Sequence, residues 1–260
     1  MKSLRSRTKD LIPPSIYVRL NAWRHYFQGE AELKLLKKLC DPKSISIDVG
    51  AHSGIYTYFL RRYSKHCLAF EPVPLLHVFL KSAFKSGVSV SNSVLSDKKE
   101  NVSLRVPSIK GVLNYGLATI ESDNALFNSP VEQINVQAHR LDDLEIKETV
   151  GLIKVDVEGH ELAVLLGGGK LLRRDHPVLV TEIEERHCAH SFERVEKYLS
   201  QMDYKGFFIL DGQITPIDKF DLKIHQAVGN VEKDQRIKGR TYINNFIWLH
   251  GLRNNADLFA

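Results

Sequence analysis

The amino-acid sequence predicts an α/β fold with a mostly parallel sheet. A length of 260 residues, 43% hydrophobic and 26% charged, is ordinary for one large globular domain. After Asp41 and Pro42, short apolar runs alternate with helix-period patterns, which is typical of βαβ units. The seven runs predicted as strands are 45–49, 67–70, 88–94, 151–155, 178–183, 206–210 and 245–249.

Two segments depart from this alternation. Residues 1–40 predict an N-terminal helical extension, with a break at Pro13 and Pro14 and an amphipathic stretch over 30–39. Residues 101–136 alternate in a strand-like way around glycines, which favours an antiparallel, hairpin-like insertion between the third and fourth parallel strands. Asp211-Gly212 predicts another hairpin turn. We therefore expect an extension over 1–40 and a single domain over 41–260.

Composition restricts the location and the partners. The net charge of +5, concentrated near the front, favours a solvated basic face over an anionic partner. No run approaches the ~18 to 20 apolar residues that cross a bilayer, and the first thirty residues lack a signal-peptide core. Cys40, Cys67 and Cys188 fit neither a zinc pattern nor a disulfide framework, which indicates a reducing cytoplasm. The absence of an aromatic-basic stripe argues against nucleic acid. Peripheral membrane contact and oligomeric state stay open.

The turn after the first predicted strand is a candidate ligand site. Asp48 ends the strand, and Gly50 and Gly54 follow in the pattern D-x-G-x-x-x-G. Ligands of open α/β sheets bind at the carboxyl ends of strands, where glycine allows close approach. The G-x-G-x-x-G pattern that seats a pyrophosphate is missing. An ordinary tight turn explains the glycines equally well when they are taken alone.

Glu71, at the end of the second predicted strand, favours the ligand-binding interpretation. A carboxylate there can accept hydrogen bonds from both hydroxyls of a ribose; the alternative is a solvated strand end before Pro72. The turn and Glu71 together predict a nucleoside ligand without a pyrophosphate. S-adenosylmethionine is the obvious candidate, and Asp48 is placed to orient its ammonium group.

Polar residues also crowd the end of the strand at 151–155. Asp156, Glu158, His160 and Glu161 follow it in the segment DVEGHE. Helix capping explains Glu158 or Glu161 but explains Asp156 less well. Lys154 shares a sheet face with Asp156 and needs an acidic partner or a path to water.

Glu182, near the end of the following strand, is expected beside Asp156. The two carboxylates are candidates to share a divalent ion, to position a substrate hydroxyl, or to be solvated strand ends. His187 and His190 lie just downstream, where a surface loop is the favoured interpretation.

Several segments together resemble the FkbM family of S-adenosylmethionine-dependent methyltransferases. They are DVGAHSGIYT, AFEP, SNSVLSDKKENVSL, HRLDDL, LIKVDVEGHELAVLLGG and NNFIWL, over about residues 44–250. The resemblance implies the class I methyltransferase (Rossmann-like) fold, a seven-stranded sheet with a reversed last strand. It also implies O-methylation of a hydroxyl, most typically of a sugar in a glycan, glycolipid or natural product.

The resemblance also implies roles for individual residues. Asp48, Gly50 and Gly54 would line the methionine part of the cofactor, Glu71 its ribose, and Asn92 to Ser96 its adenine. His52, Ser53 and Thr57 complete the predicted cofactor set. His52 departs from the asparagine that is common in the family.

Asp156 and Glu158 would face the transfer site. We hypothesise that Asp156 holds the acceptor hydroxyl, assisted by Glu158 or Glu182, with His160 as an optional base. Two alternatives remain: a non-catalytic binding module that keeps the fold, and a nicotinamide-dependent oxidoreductase, which the missing G-x-G-x-x-G disfavours.

Overall fold

The computed structural model of the chain describes residues 12–109, 111–121, 130–232, 235–236 and 241–252. Parts of the predicted extension (1–11) and of the predicted insertion (110 and 122–129) lie outside the described residues. The eight helices of the described residues are α1 (Pro14–Gln28), α2 (Leu36–Leu39), α3 (Ile55–Tyr63), α4 (Pro74–Ala83), α5 (Glu161–Gly167), α6 (Gly169–Asp175), α7 (Ser191–Ser200) and α8 (Leu222–His225).

The main sheet has eight strands. These are β1 (Ile45–Val49), β2 (Cys67–Phe70), β3 (Val88–Ser91), β8 (Val150–Val155), β9 (Val178–Glu182), β10 (Tyr204–Leu210), β11 (Gln213–Pro216) and β14 (Asn245–His250). Their order is β11-β10-β14-β9-β8-β1-β2-β3. Strands β3, β2, β1, β8 and β9 pair in parallel, and β14 is antiparallel to both β9 and β10. The expected α/β fold and reversed last strand are confirmed.

The predicted number of seven strands is wrong because β11 adds an edge strand. It pairs with β10 through the predicted Asp211-Gly212 turn, where both residues have positive φ. The predicted strand over 88–94 also splits. After Ser91 the chain turns, with the Asn92 amide donating to the backbone oxygens of Glu71 and Pro72. Residues Val94–Leu95 then form β4 in another sheet.

The insertion is a four-stranded sheet of order β4-β7-β5-β6. Its remaining strands are β5 (Glu100–Ile109), β6 (Val112–Leu113) and β7 (Val131–His139). The predicted antiparallel pairing is present between β5 and β7, but the sheet reaches beyond 101–136 at both ends. It has a small core of its own, which includes Leu104, Val106 and Val136. A short antiparallel pair, β12 (Val231–Glu232) and β13 (Gln235–Arg236), completes the described strands.

The central strands are buried on both faces, as expected for a parallel sheet covered by helices. Leu152 of β8 packs in a core with α1, α2 and α3, and its neighbour Ile153 packs in a core with α5, α6 and α7. The three layers leave the carboxyl ends of the strands accessible.

The N-terminal extension differs in detail from its prediction. Pro14 does not break the helix but begins α1, since the first helical position needs no backbone N–H partner. The stretch over 30–39 is not one helix but a 3₁₀ turn, Ala31–Lys34, followed by α2. Val18 and Ala22 of α1 are buried in the core below the sheet. The division of the chain after residue 40 stays a prediction.

Candidate functional site

A cavity of about 420 Å³ opens at the carboxyl ends of β1, β2 and β8. The residues that follow these strands form its base, which we call the floor: Asp48, Gly50, Glu71 and Asp156. Side chains of α1 and of the insertion also line the cavity, and we call them the outer wall: Tyr17, Asn21, Arg24, His25, Tyr115 and Thr119. Of the other predicted residues, His52, Ser53, Glu158 and His160 also line the cavity.

Gly50 is required where β1 meets the turn after β8. Its φ is +80°, and an added Cβ would lie 1.8 Å from the Asp156 carbonyl oxygen. The neighbouring backbones are held at this spacing because the Asp156 amide donates to the Val49 oxygen at 3.0 Å. Only glycine fits this close approach.

Gly54 serves packing rather than the cavity. A Cβ there would lie 2.8 Å from Leu80 Cδ2 of α4, and the residue begins α3 with a φ of +79°. The atoms closest to Gly54 therefore come from α4 and the residue that follows it, and not from strand β1. A direct cofactor contact of Gly54 stays a prediction.

Asp48 is fully buried beneath the cavity. Its Oδ2 accepts a hydrogen bond from Thr57 Oγ1, and burial raises the pKa of Asp48 to about 6. Thr57 is buried and does not appear among the residues described as lining the cavity. It positions Asp48, and a contact with a ligand stays a prediction.

Glu71 is held by two backbone amides. Its Oε2 accepts from the His52 amide at 2.7 Å and its Oε1 from the Val73 amide at 2.8 Å. Only 3% of the residue is exposed, so the alternative of a solvated strand end is wrong. Burial raises the pKa of Glu71 to about 7. The ring of His52 is exposed at the mouth of the cavity, yet partial desolvation still lowers its pKa.

Lys154, Asp156 and Glu182 form a charged cluster at the ends of β8 and β9. The expected acidic partner of Lys154 is Glu182, with Nζ 3.9 Å from Oε2, and the ammonium also donates to the Asn245 side chain. Burial, followed by the charge of Asp156, raises the pKa of Glu182 well above its ordinary value. Burial raises the pKa of Asp156 as well, while the Lys154 ammonium opposes that rise, and the side chains of Asp156 and Glu182 are in hydrogen-bonding contact. Asp156 lines the cavity, and Glu182 lies behind it.

A divalent ion is one of the three alternatives for Asp156 and Glu182. The Lys154 ammonium already lies 3.9 Å from Glu182 Oε2 and supplies a positive charge to this pair. No group of three or more His, Cys, Asp and Glu side chains fit for a metal occurs within the described ranges.

Glu158 is fixed by a buried histidine. It has a positive φ of 56°, and its Oε2 lies 2.8 Å from His187 Nδ1. His187 is 3% exposed, so its interpretation as a surface-loop residue is wrong, whereas His190 is exposed as expected. Although burial disfavours the charged ring, hydrogen bonds with Glu158 and Glu184 raise the pKa of His187 to about 10. A buried cation thus holds the Glu158 carboxylate in place.

Both ring nitrogens of His160 have partners. Nδ1 lies 2.5 Å from Glu121 Oε1, and Nε2 lies 2.9 Å from Ser96 Oγ. One of these contacts must open before His160 acts as a base. The Ser96 hydroxyl hydrogen-bonds to His160, and the Asn92 side-chain amide donates to the backbone oxygen of Glu71 after β2. Of the stretch assigned to adenine, Ser93, Val94 and Leu95 line the cavity.

The residue identities of the outer wall were not predicted. Tyr17, Asn21 and Arg24 recur at helical spacing on one face of α1, and this pattern carries no motif. Tyr115 and Thr119 follow β6 in a stretch where the sequence shows only glycines and alternation. The only available signal was the general expectation that inserted segments shape a pocket.

Comparison with known proteins identifies the family. The model of the methyltransferase FkbM domain matches residues 48–205, which is more than half of the chain. The chain belongs to the FkbM methyltransferase family. The expected resemblance is confirmed. The family and the fold are those of S-adenosylmethionine-dependent methyltransferases.

Several solved structures are similar to this chain. Methyltransferase FkbM from Methylobacillus flagellatus is similar with a TM-score of 0.50 and 14% identity, over 92% of this chain and 55% of that one. This chain thus spans about half of that protein's length. An rRNA methylase from Streptococcus thermophilus aligns at a TM-score of 0.45 and 12% identity, over 85% and 95%. A Streptococcus mutans protein in complex with SAH aligns at 0.46 and 10%, over 84% and 95%.

No curated protein sequence matches this chain. Among the helices of the described residues, none is long and apolar enough to cross a membrane.

Proposed function

We propose that this FkbM-family protein transfers a methyl group from S-adenosylmethionine to a hydroxyl of a sugar, in a glycan, glycolipid or natural product. The observation that carries the proposal is the position of Asp156 in the cavity lining, next to Lys154, whose ammonium lies 3.9 Å from Glu182 Oε2. The Lys154 ammonium opposes the rise that burial causes in the pKa of Asp156, and it therefore favours the carboxylate that a base requires.

The floor fits the proposed cofactor in charge. Asp48 lies at the end of β1 and would face the cationic methionine part, and Gly50 lets that part approach the backbone. Each carboxylate oxygen of Glu71 accepts one backbone hydrogen bond and has a further lone pair for a ribose hydroxyl. Ser53, Ser93 and Leu95 complete the predicted cofactor side.

The chemistry requires alignment and removal of one proton. The bound cofactor supplies an electrophilic methyl group on a sulfonium. Asp156 accepts the proton of the acceptor hydroxyl as the oxygen–carbon bond forms and the carbon–sulfur bond breaks in line. Lys154 stabilises the Asp156 carboxylate, and Glu158, fixed by His187, orients the acceptor. His160 stays an optional base.

The outer wall supports a polyhydroxylated acceptor. It combines two tyrosine rings with the amide of Asn21 and the guanidinium of Arg24. Aromatic faces and hydrogen-bonding groups together suit a sugar ring. A cytoplasmic location is part of the proposal, and the absence of disulfides among Cys40, Cys67 and Cys188 supports it.

Incubation with labelled S-adenosylmethionine and a panel of sugars, lipid-linked sugars and RNA tests the proposal, with the product read by mass. We expect label on a sugar hydroxyl. Label on RNA would overturn the substrate class. Cofactor binding by calorimetry without transfer to any acceptor would favour a non-catalytic module, and binding of NAD instead would favour an oxidoreductase.

Asp156→Ala separates chemistry from binding. Because Asp156 is the proposed base, we expect turnover to fall by about 10²- to 10⁴-fold while the cofactor Kd changes little. Asn245→Ala, which removes one partner of Lys154 behind the floor, is a matched control with a smaller effect on turnover. Loss of cofactor binding in Asp156→Ala would show that Asp156 holds the cofactor rather than the acceptor.

A further inference from the structure

Helix α1 presents three different faces. Val18 and Ala22 are buried against the core, and Tyr17, Asn21 and Arg24 line the cavity. The remaining face carries apolar side chains that point away from the protein. These are Ile12 just before the helix and Ile16, Leu20 and Phe27 within it. The spacing of four and seven residues places the last three on one stripe.

This stripe is unusually exposed. Leu20 is 55% exposed and Phe27 is 71% exposed. Helix α4 packs beside α1 through the Tyr17–Phe79 ring contact, and it exposes Leu75 and Val78 by 66% and 65%. Several large apolar side chains on two adjacent helices mark an interaction surface rather than scattered exposure. We call Ile16, Leu20, Phe27, Leu75 and Val78 the apolar face.

The charge around the apolar face has one sign. Neither α1 nor α4 contains an aspartate or glutamate, and their charged residues are Arg19, Arg24 and Lys81. The chain before α1 continues this bias with Lys2, Arg5, Arg7 and Lys9 against Asp10. An apolar stripe with basic residues at its border is the pattern of helices that lie in the interface of anionic bilayers.

We propose that the apolar face docks on a membrane surface that contains anionic lipids. Helix α1 would then lie in the plane of the membrane, and its cavity-lining side would bring Asn21 and Arg24 to the level of the headgroups. The nature of the acceptor rests on the proposed sugar methyl transfer: if that function holds, the acceptor is a sugar linked to a lipid. The apolar face would bind the bilayer that carries it.

A second copy of the chain is a weaker candidate for the same face. Two facing copies of α1 would bring their Arg19 and Arg24 side chains together with no acidic residue of α1 or α4 to pair them. Anionic lipid headgroups neutralise these same charges. The charge distribution therefore favours the bilayer.

Vesicle co-sedimentation of the full chain tests the proposal. One vesicle is phosphatidylcholine alone, and the other is an equal mixture of phosphatidylcholine and phosphatidylglycerol. We expect binding to the mixture that weakens with salt and little binding to phosphatidylcholine. In Leu20→Ser/Phe27→Ser, binding to the mixture should fall by at least about tenfold.

The control variant is Leu222→Ser/Ile224→Ser, which removes exposed apolar side chains from α8. It should bind the mixture as the parent does, and circular dichroism should show both variants folded. Failure of the parent to bind the mixture, or equal loss in both variants, would overturn the proposal. A dimer seen by light scattering that only the α1 variant abolishes, without vesicle binding, would assign the apolar face to a second copy. Vesicle binding tests the apolar face alone. Cofactor affinity, measured by calorimetry, and methyl transfer to soluble sugars are measured without vesicles, so failure of membrane binding and failure of the proposed methyl transfer are distinguishable.

Discussion

The floor and the outer wall line one cavity but are built in different ways. Every floor residue lies in or next to a strand end, and backbone contacts fix two of them. Gly50 fits against the Asp156 carbonyl, and two backbone amides hold Glu71. The outer wall consists of side chains on a helix and of an inserted stretch. The floor is thus determined by the sheet, whereas the outer wall depends on how separate segments pack over it.

This difference assigns separate tasks to the two sides. A site that serves one common cofactor benefits from rigid backbone geometry. A site that distinguishes acceptors is more easily changed when it stands on side chains of peripheral elements. Substitutions of the floor residues Asp48, Gly50 and Glu71 should therefore affect the fold and cofactor binding, whereas Asp156 serves the transfer itself. Substitutions in the outer wall should affect the acceptor alone.

Gly50→Ala should have the largest effect. The added Cβ would lie 1.8 Å from the Asp156 carbonyl oxygen, so β1 and the turn after β8 must separate. We expect the free energy of unfolding to fall by more than about 4 kcal/mol, or the chain not to fold. Urea unfolding followed by circular dichroism measures this.

Gly212→Ala is the matched control for that variant. Gly212 has nearly the same φ of +78° in the β10–β11 turn, but no atom lies within 4 Å of an added Cβ. It should lose only about 1 to 2 kcal/mol, the cost of a left-handed conformation. Equal losses in the two variants would show that the close approach at Gly50 does not constrain the fold.

The same distinction explains what the sequence predicted. Asp48, Gly50, Glu71 and Asp156 each lie within a few residues of a strand, so local pattern and sheet topology together bring them to one edge. His187 was missed because its burial depends on Glu158 and Glu184, which no local periodicity places around it. The edge strand β11 was missed for a related reason: a turn signal predicts a hairpin but not the sheet that it joins.

The face of α1 that meets the cavity is another tertiary property. It is set by Val18 and Ala22, which pack into the core. Since α1 is apolar on more than one side, its sequence does not show which side is buried. Residues of the outer wall therefore become identifiable only once the packing is known.

Arg24→Ala should have an intermediate effect, limited to the acceptor. Arg24 lines the cavity from α1. Loss of a charged hydrogen-bond donor to the acceptor should raise its KM by roughly tenfold, with kcat and the cofactor Kd nearly unchanged. Steady-state kinetics with a soluble acceptor from the panel and calorimetry with the cofactor measure the two sides separately.

Arg19→Ala provides the control on the same helix. Arg19 is exposed and is not among the residues described as lining the cavity. In the absence of membranes, the KM of the Arg19→Ala variant for the soluble acceptor should stay at the parent value. A weaker cofactor affinity in Arg24→Ala would instead place the outer wall within the cofactor site and break the division of tasks.

The pH dependence of cofactor affinity should be similar in size to the effect of Arg24→Ala, and it tests the floor alone. Burial raises the pKa of Asp48 to about 6 and that of Glu71 to about 7, so both are partly protonated near pH 6. A cationic ligand favours the ionised carboxylates, and binding therefore releases protons. Affinity should rise by about tenfold between pH 5 and 7.5, as the carboxyl groups lose their protons.

Asp48→Asn gives this prediction its control, because the amide has nearly the same shape and does not titrate. At pH 7.5 its affinity should fall toward the parent's value at pH 5, and the part of the pH dependence centred near pH 6 should disappear. Calorimetry in two buffers of different ionisation enthalpy would count the released protons. An affinity in the parent that is constant or falls with rising pH would mean that the carboxyl groups beneath the cavity do not face the positive charge of the cofactor. The floor would then owe its acidic residues to the fold rather than to the ligand.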